Sequence, residues 1–259
     1  MAVSDGAAFR RVLDGLGLAI VGGDVPPGSD DTVDRIVERT GASRSVVREA
    51  TRVLVSLGML TAGRRVGLRV RPRDEWDLLD PQVIRWRLES PDREAQLADL
   101  LGLRLVVELE AAARAAAHST PRETAELRAT AQALAGATAA RDRDGFFEAD
   151  RRFHGTVLRL AGNAMLARLA GVVDEALRER VPDDHLRWSV ASSGVELHSA
   201  VADAIAAGDS DGAARLMRRI VDPGASTRAP QGRAHRVAMV ESPPGMGGSS
   251  ASVSAPIDE

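Results

Sequence analysis

The chain has 259 residues, with 34 basic side chains, all of them Arg, against 37 acidic ones, so its net charge at pH 7 is −3. The absence of Cys excludes a disulfide framework, a thiolate metal site and a cysteine nucleophile. No run of about 18 apolar residues and no signal-peptide pattern occurs, so we expect a mostly helical, cytoplasmic protein with no membrane partner.

Charge is distributed unevenly along the chain. Residues 1–73 contain 12 Arg and 8 acidic residues, whereas residues 74–222 contain 19 Arg and 26 acidic residues. A basic first segment favours an anionic partner such as nucleic acid, although a solvated basic face would give the same pattern. Residues 223–259 are rich in Gly, Pro, Ser and Ala, which predicts a disordered tail.

The first segment has the pattern of three short helices and a hairpin. Apolar residues at helical spacing predict helices over residues 7–21, 31–40 and 43–57, each followed by a glycine. β-branched and apolar residues around two glycines predict a two-stranded hairpin over residues 59–70. Two short helices joined by a tight turn form a helix-turn-helix, and the hairpin would be its wing.

The third predicted helix has an apolar side and a basic side. The apolar side consists of Val46, Ala50, Val53, Leu54 and Leu57. The opposite side and the hairpin carry the candidate DNA contacts, which are Ser43, Arg44, Ser45, Arg48, Arg52, Arg64, Arg65 and Gly67. Because Arg44 and Arg48 lie one turn apart, both guanidinium groups can enter a major groove and bind guanine or phosphate. A small three-helix domain with a solvated basic face remains the alternative.

A specific motif spans these helices. It consists of Pro27-Gly28, the run Gly41-Ala42-Ser43-Arg44-Ser45-Val46-Val47-Arg48-Glu49-Ala50, then Leu54, Leu57-Gly58-Met59 and Gly67. These residues resemble the winged helix-turn-helix of GntR-type transcriptional regulators. The resemblance implies a DNA-binding domain over residues 1–72 and operator DNA as its partner.

The second segment continues the resemblance. Its matching residues are Arg104 with Glu108, Asp150-Arg151-Arg152-Phe153-His154, Ala161-Gly162-Asn163, Glu196-Leu197-His198, Ala204-Ile205 and Gly208-Asp209. They resemble the effector domain of the FadR branch, called the FCD domain, and the preceding linker, with Trp76 and Trp86, is similar to that of galactonate-type sugar-acid regulators. The resemblance implies a mainly α fold in which the N-terminal winged helix-turn-helix is joined by a linker helix (residues 73–90) to an all-helical antiparallel bundle (residues 91–222).

The resemblance also implies a divalent metal site. In this family an Asp and three His often hold a metal that touches the carboxylate of the effector, and the corresponding residues here are Asp150, His154 and His198. The remaining family His corresponds to Ile220. Asp150 and His154 lie four residues apart and so leave one face of a helix. Carboxylate and imidazole ligands suit Zn, with Ni or Fe(II) as alternatives, and three ligands leave positions for an anion. Isolated His are also commonly structural groups.

Arg104 and Glu108 lie one turn apart in an otherwise apolar predicted helix and have two interpretations. They form an intrahelical ion pair, or Arg104 binds the carboxylate of the effector bidentately. The candidate effector-binding set is Arg104, Asp150, His154 and His198. For Asn163 we favour helix capping over ligand contact, and for Trp76 and Trp86 we favour packing between linker and domains.

Together with the motif, the resemblance implies a homodimeric, ligand-responsive transcription factor, a repressor rather than an activator, that associates with the nucleoid when bound to DNA. We expect a sugar acid such as a hexonate to alter the linker and release a two-fold symmetric operator. A metal-dependent enzyme is one alternative, although no general base or nucleophile accompanies the ligands. A ligand-binding helical module that does not bind DNA is the other.

Overall fold

The structure is a computed structural model that describes residues 2–63, 67–178 and 194–222, all within the unit Met1–Thr227. The candidate contacts Arg64 and Arg65 and the tail over residues 223–259 lie outside the described residues. No helix of the described ranges is long and apolar enough to cross a membrane.

Capping residues set the limits of the N-terminal helices. These helices are α1 (Ala2–Val21), α2 (Val33–Thr40) and α3 (Arg44–Ser56). The hydroxyl groups of Thr32 and Ser43 accept hydrogen bonds from the first turns of α2 and α3, and Gly41, at φ 66°, ends α2. The predicted third helix is therefore confirmed, and Ser43 caps it.

A small antiparallel sheet follows the helices, in the order β1-β3-β2. Its strands are β1 (Asp30–Asp31), β2 (Leu60–Gly63) and β3 (Gly67–Val70). The predicted hairpin is confirmed, but the prediction of a helix from residue 31 was wrong, because Asp31 pairs with Leu68 and the helix begins only after Thr32. Gly67 permits this pairing, since a Cβ there would lie 2.6 Å from the backbone oxygen of Asp31.

Helices form the rest of the described chain. They are a 3-10 turn (Arg73–Glu75), α4 (Pro81–Leu88), α5 (Arg93–His118), α6 (Pro121–Ala140), α7 (Arg143–Leu160), α8 (Ala164–Arg168), α9 (Ala170–Arg178), α10 (Val195–Ala206) and α11 (Ser210–Val221). The helical part of the predicted linker is thus limited to α4, which Asp80 caps through its carboxylate. Asn163 caps α8, as predicted.

Helix α4 separates two hydrophobic cores. Val83 and Trp86 belong to the core formed by α1, α3 and the sheet, whereas Ile84 and Leu88 pack against α5 and α9 of the bundle. The main bundle core lies among α5, α6, α7, α9, α10 and α11, with Phe153 fully buried in it. The linker tryptophans therefore pack as predicted, and α4 touches both parts of the protein.

Candidate functional site

The outward face of α3 is the candidate DNA-binding surface. Its exposed residues include the predicted contacts Ser43, Arg44, Ser45, Arg48 and Arg52, together with the acidic Glu49. The opposite side is fixed in the core, since Val47, Ala50 and Leu54 have no exposed surface. Arg44 forms an ion pair with Asp34 of α2, but its side chain remains 63% exposed. The guanidinium groups of this face are consequently within reach of a duplex.

The hairpin is the other part of the candidate surface. Gly67 begins β3, and Arg69 beside it is held by Asp30, with Nε to Oδ1 at 2.7 Å and Nη2 to Oδ2 at 2.8 Å. The hydrogen bond from Arg69 holds the pKa of the Asp30 carboxyl below its usual value. This pair of side chains joins β3 of the hairpin to β1, the strand that precedes α2.

Three candidate metal ligands come together inside the bundle. Asp150 and His154 project from α7, and His198 projects from α10. A carboxylate oxygen of Asp150 lies 3.0 Å from Nε2 of His198 and 3.6 Å from Nε2 of His154. One ligand atom from each residue lies within 4.8 Å of the others, and all three side chains are buried. The structure therefore brings together a set that the sequence separates by up to 48 positions.

Each imidazole is oriented through its other nitrogen. Nδ1 of His198 donates to the backbone oxygen of Gly194 at 3.0 Å, and Nδ1 of His154 donates to the carboxylate of Glu108. Both Nε2 atoms are buried beside Asp150 and have no hydrogen-bond partner among the described residues. Metal-binding imidazoles are commonly held in this way, with Nδ1 bound and Nε2 available. The donor set fits a divalent metal such as Zn.

Glu108, which the sequence pattern pairs only with Arg104, also contacts the candidate metal ligand His154. Nε of Arg104 donates to one oxygen of Glu108, while the other oxygen accepts from His154. Nη2 of Arg104 is buried without a hydrogen-bond partner in the described part of the chain. The ion-pair interpretation is thus observed, and one guanidinium nitrogen remains for an anion. The sequence offered one indication of this contact, because Glu108 is an acidic residue within an otherwise apolar helix.

The charges of this cluster are mutually stabilising. Burial alone would raise the pKa of Glu108, but Arg104 and His154 lower that pKa to about 2. Burial likewise opposes ionisation of Asp150, yet the imidazoles of His154 and His198, whose Nε2 atoms face its carboxylate, hold the pKa of this carboxyl well below the usual value. For His154, burial lowers the pKa and the carboxylates of Glu108 and Asp150 raise it more. The carboxyl groups of Glu108 and Asp150 are therefore both ionised at neutral pH.

Ile220 stands where the resemblance would place a further His. It is 7% exposed and belongs to the hydrophobic core of the bundle. Phe153 also lies beside the cluster, and the centroid of its ring is 4.9 Å from the centroid of the His198 ring. Among the described residues the candidate ligand set therefore consists of one carboxylate and two imidazoles.

This chain matches a known domain family and several known proteins. The FCD domain family matches residues 99–223. The galactonate operon transcriptional repressor of Escherichia coli (strain K12) is 30% identical over 206 residues, which cover 78% of this chain and 89% of that protein. A candidate L-lactate dehydrogenase operon regulatory protein of the same organism is 31% identical over 191 residues, covering 71% of each chain. The solved structure of Streptococcus agalactiae GntR covers 85% of this chain and 100% of its own, at 20% identity and a TM-score of 0.49.

The family match lies within the bundle, whereas the galactonate repressor aligns with 78% of the whole chain. They exclude the alternative of a metal-dependent enzyme, because these proteins are transcriptional regulators. The chain belongs to the GntR family of transcriptional regulators, in the FadR branch whose members carry an FCD effector domain.

Proposed function

We propose that this regulator is a homodimeric repressor that releases operator DNA when a sugar acid or a related hydroxycarboxylate binds in its bundle. The proposal rests on one observation. Glu108 contacts both Arg104 and His154, and Nε2 of His154 faces the carboxylate of Asp150. The candidate metal ligands and Nη2 of Arg104, which has no hydrogen-bond partner among the described residues, are connected through Glu108. That pairing suits an anionic ligand with further oxygen donors.

The ligand chemistry follows from the donors. When bound by Asp150, His154 and His198, a divalent metal such as Zn, Ni or Fe(II) supplies positive charge and open positions for oxygen ligands. Arg104 adds a directed donor for a carboxylate. The names of the two relatives, a galactonate operon repressor and a lactate dehydrogenase operon regulator, both refer to hydroxycarboxylates. They support that class of effector for this chain.

The proposed DNA contacts are those of α3 and the wing. A two-fold dimer would place one α3 helix in each of two half-sites, about one helical turn apart. Ser43, Arg44, Ser45, Arg48 and Arg52 form the exposed surface for these contacts. To release DNA, the ligand must bind one arrangement of the dimer more tightly than the other.

We expect Arg48→Ala to weaken operator binding by about 1–3 kcal/mol, because an arginine that binds a base edge contributes about that amount. Arg44→Ala should weaken operator binding by a similar amount, since the ion pair that it also removes, with Asp34, is exposed. Fluorescence anisotropy with labelled operator DNA measures both variants. Arg128→Ala, on α6 of the bundle, removes an exposed guanidinium of the same kind and serves as the matched control.

Unchanged operator affinity in both the Arg44 and Arg48 variants would remove the assignment of α3 as the DNA-contacting helix. A loss as large in the Arg128 variant would mean that net charge, and not this face, determines the affinity.

The effector proposal is tested by a thermal-shift screen of hexonates, lactate and uncharged sugars, with and without chelator. We expect at least one hydroxycarboxylate to raise Tm and to release DNA, and we expect both effects to be lost in chelator and in Arg104→Gln. A response to uncharged sugars alone, or one that chelator leaves unchanged, would contradict the proposed ligand site.

A further inference from the structure

A chain of polar contacts runs from the helix of the candidate metal site to the DNA-binding part. Arg151 directly follows the ligand Asp150 on α7, and its Nε lies 3.1 Å from an oxygen of Asp174 on α9. The next residue on α9, Glu175, lies 3.6 Å from Nη1 of Arg85 on α4. Neighbouring residues on α9 therefore contact the site helix on one side and the linker helix on the other.

The chain continues from α4 to α1. Nη2 of Arg85 donates to the side-chain oxygen of Gln82 at 2.8 Å, and the Gln82 amide donates to Asp14 of α1 at 3.1 Å. The same oxygen of Asp14 accepts from Nε1 of Trp86, also at 3.1 Å. Helix α4 is consequently joined to α1 by two hydrogen bonds on one carboxylate. Its contact with α9 combines the apolar packing of Ile84 and Leu88 with the ion pair of Arg85 and Glu175.

Glu175 has two nearly equivalent partners. Its carboxylate oxygen lies 3.6 Å from Arg85 and 3.9 Å from Nε of Arg178, and neither distance is that of a hydrogen bond. Arg178 is already bound to Asp174 at 2.8 Å. The Glu175 side chain is only 7% exposed, so it has little access to solvent as a third partner. A carboxylate between two cations can pair closely with either one, and coupling between distant sites requires a contact with two such alternatives.

We propose that Glu175 is the regulatory contact through which the state of the Asp150, His154 and His198 site reaches helix α4. Movement of α7 shifts Asp174 through Arg151, and α9 then engages or releases Arg85. Because α4 is bound to α1 through Asp14, the DNA-binding part moves with α4. This inference rests on the proposed metal and effector site, and it adds the contacts through which binding at that site changes the position of α4.

Hydrogen–deuterium exchange of the full chain tests the route, with Zn²⁺ as the probe and EDTA as the reference. In the wild type we expect zinc to slow exchange in α7, α9 and α4. In Glu175→Gln, which removes the charge and keeps the shape, the slowing in α7 should persist, while that in α4 should fall by about 2- to 30-fold, the range for a coupling residue. Arg85→Gln should behave in the same way.

Asp203→Asn is the control, because Asp203 forms an exposed ion pair between two helices, with Arg128 at 2.9 Å, that joins α10 to α6 away from α4. It should respond to zinc as the wild type does. A zinc response that stops at α7 in the wild type, or an undiminished α4 response in Glu175→Gln and Arg85→Gln, overturns the inference and leaves the metal site standing. The absence of any response in α7 contradicts the metal site and the inference together.

Discussion

His198→Ala is expected to abolish high-affinity zinc binding, since it removes one of three buried ligands and leaves Asp150 and His154 alone. In the wild type, chelation should lower the free energy of unfolding by about 3–4 kcal/mol when free zinc is about 100 to 1,000 times Kd, because the metal binds only the folded state. In the variant, the thermal unfolding curves with and without EDTA should coincide. Isothermal titration and metal analysis of protein purified without chelator measure the binding directly.

Two further variants should show an intermediate effect and no effect on zinc binding. Glu108→Gln keeps all three ligands but changes the group that orients Nδ1 of His154, and it should weaken zinc binding by about 10- to 100-fold. His118→Ala removes an exposed imidazole at the end of α5 and should leave zinc binding unchanged. Equal zinc content in the wild type, His198→Ala and His154→Ala would show that this cluster does not hold the metal.

Trp86→Ala is expected to lower the free energy of unfolding by about 3–5 kcal/mol, because the indole ring is 1% exposed and fills the junction of α1 and α4. The loss also leaves Asp14 with one fewer donor. Urea unfolding followed by circular dichroism at 222 nm measures the change without relying on tryptophan fluorescence.

The same junction can be tested from the side of α1. A Cβ on Gly17 would lie 2.5 Å from the Trp86 ring, so Gly17→Ala should destabilise by about 1–3 kcal/mol through overpacking. Gly15, two residues earlier in the same helix, has nothing within 4 Å of such a Cβ. Gly15→Ala should therefore stabilise by about 0.5–1 kcal/mol through helix propensity alone. Effects of the same sign and size would contradict the close approach of α1 and α4.

Much of the DNA-binding part could be predicted from local patterns. The two sides of α3 follow from helical periodicity, and the Ser43 cap follows from its position before an apolar run. Strand β1 could not be predicted, because two residues carry no periodic signal and Asp31 belongs to the sheet only through its pairing with Leu68. Here tertiary pairing decides the structure of a segment that is also suited to begin a helix.

The candidate site was only partly predictable. Spacing places Asp150 and His154 on one helix face, and family resemblance adds His198. The hydrogen bond between Glu108 and His154 joins residues 46 positions apart, and no local rule indicates it. The contact of Glu175 with Arg85 depends likewise on how α9 packs against α4. Such long-range partners are determined by helix packing, which a single sequence does not specify.

The central claim, that a dimer of this chain reads DNA through the outer face of α3, is tested most directly by selection from a pool of random duplexes. The account predicts enrichment of a two-fold symmetric sequence with half-site centres about 10 base pairs apart. It also predicts that the Arg44→Ala, Arg48→Ala double variant enriches no sequence. A wild-type protein that enriches nothing, or a double variant that enriches the same sequence equally well, would contradict the account.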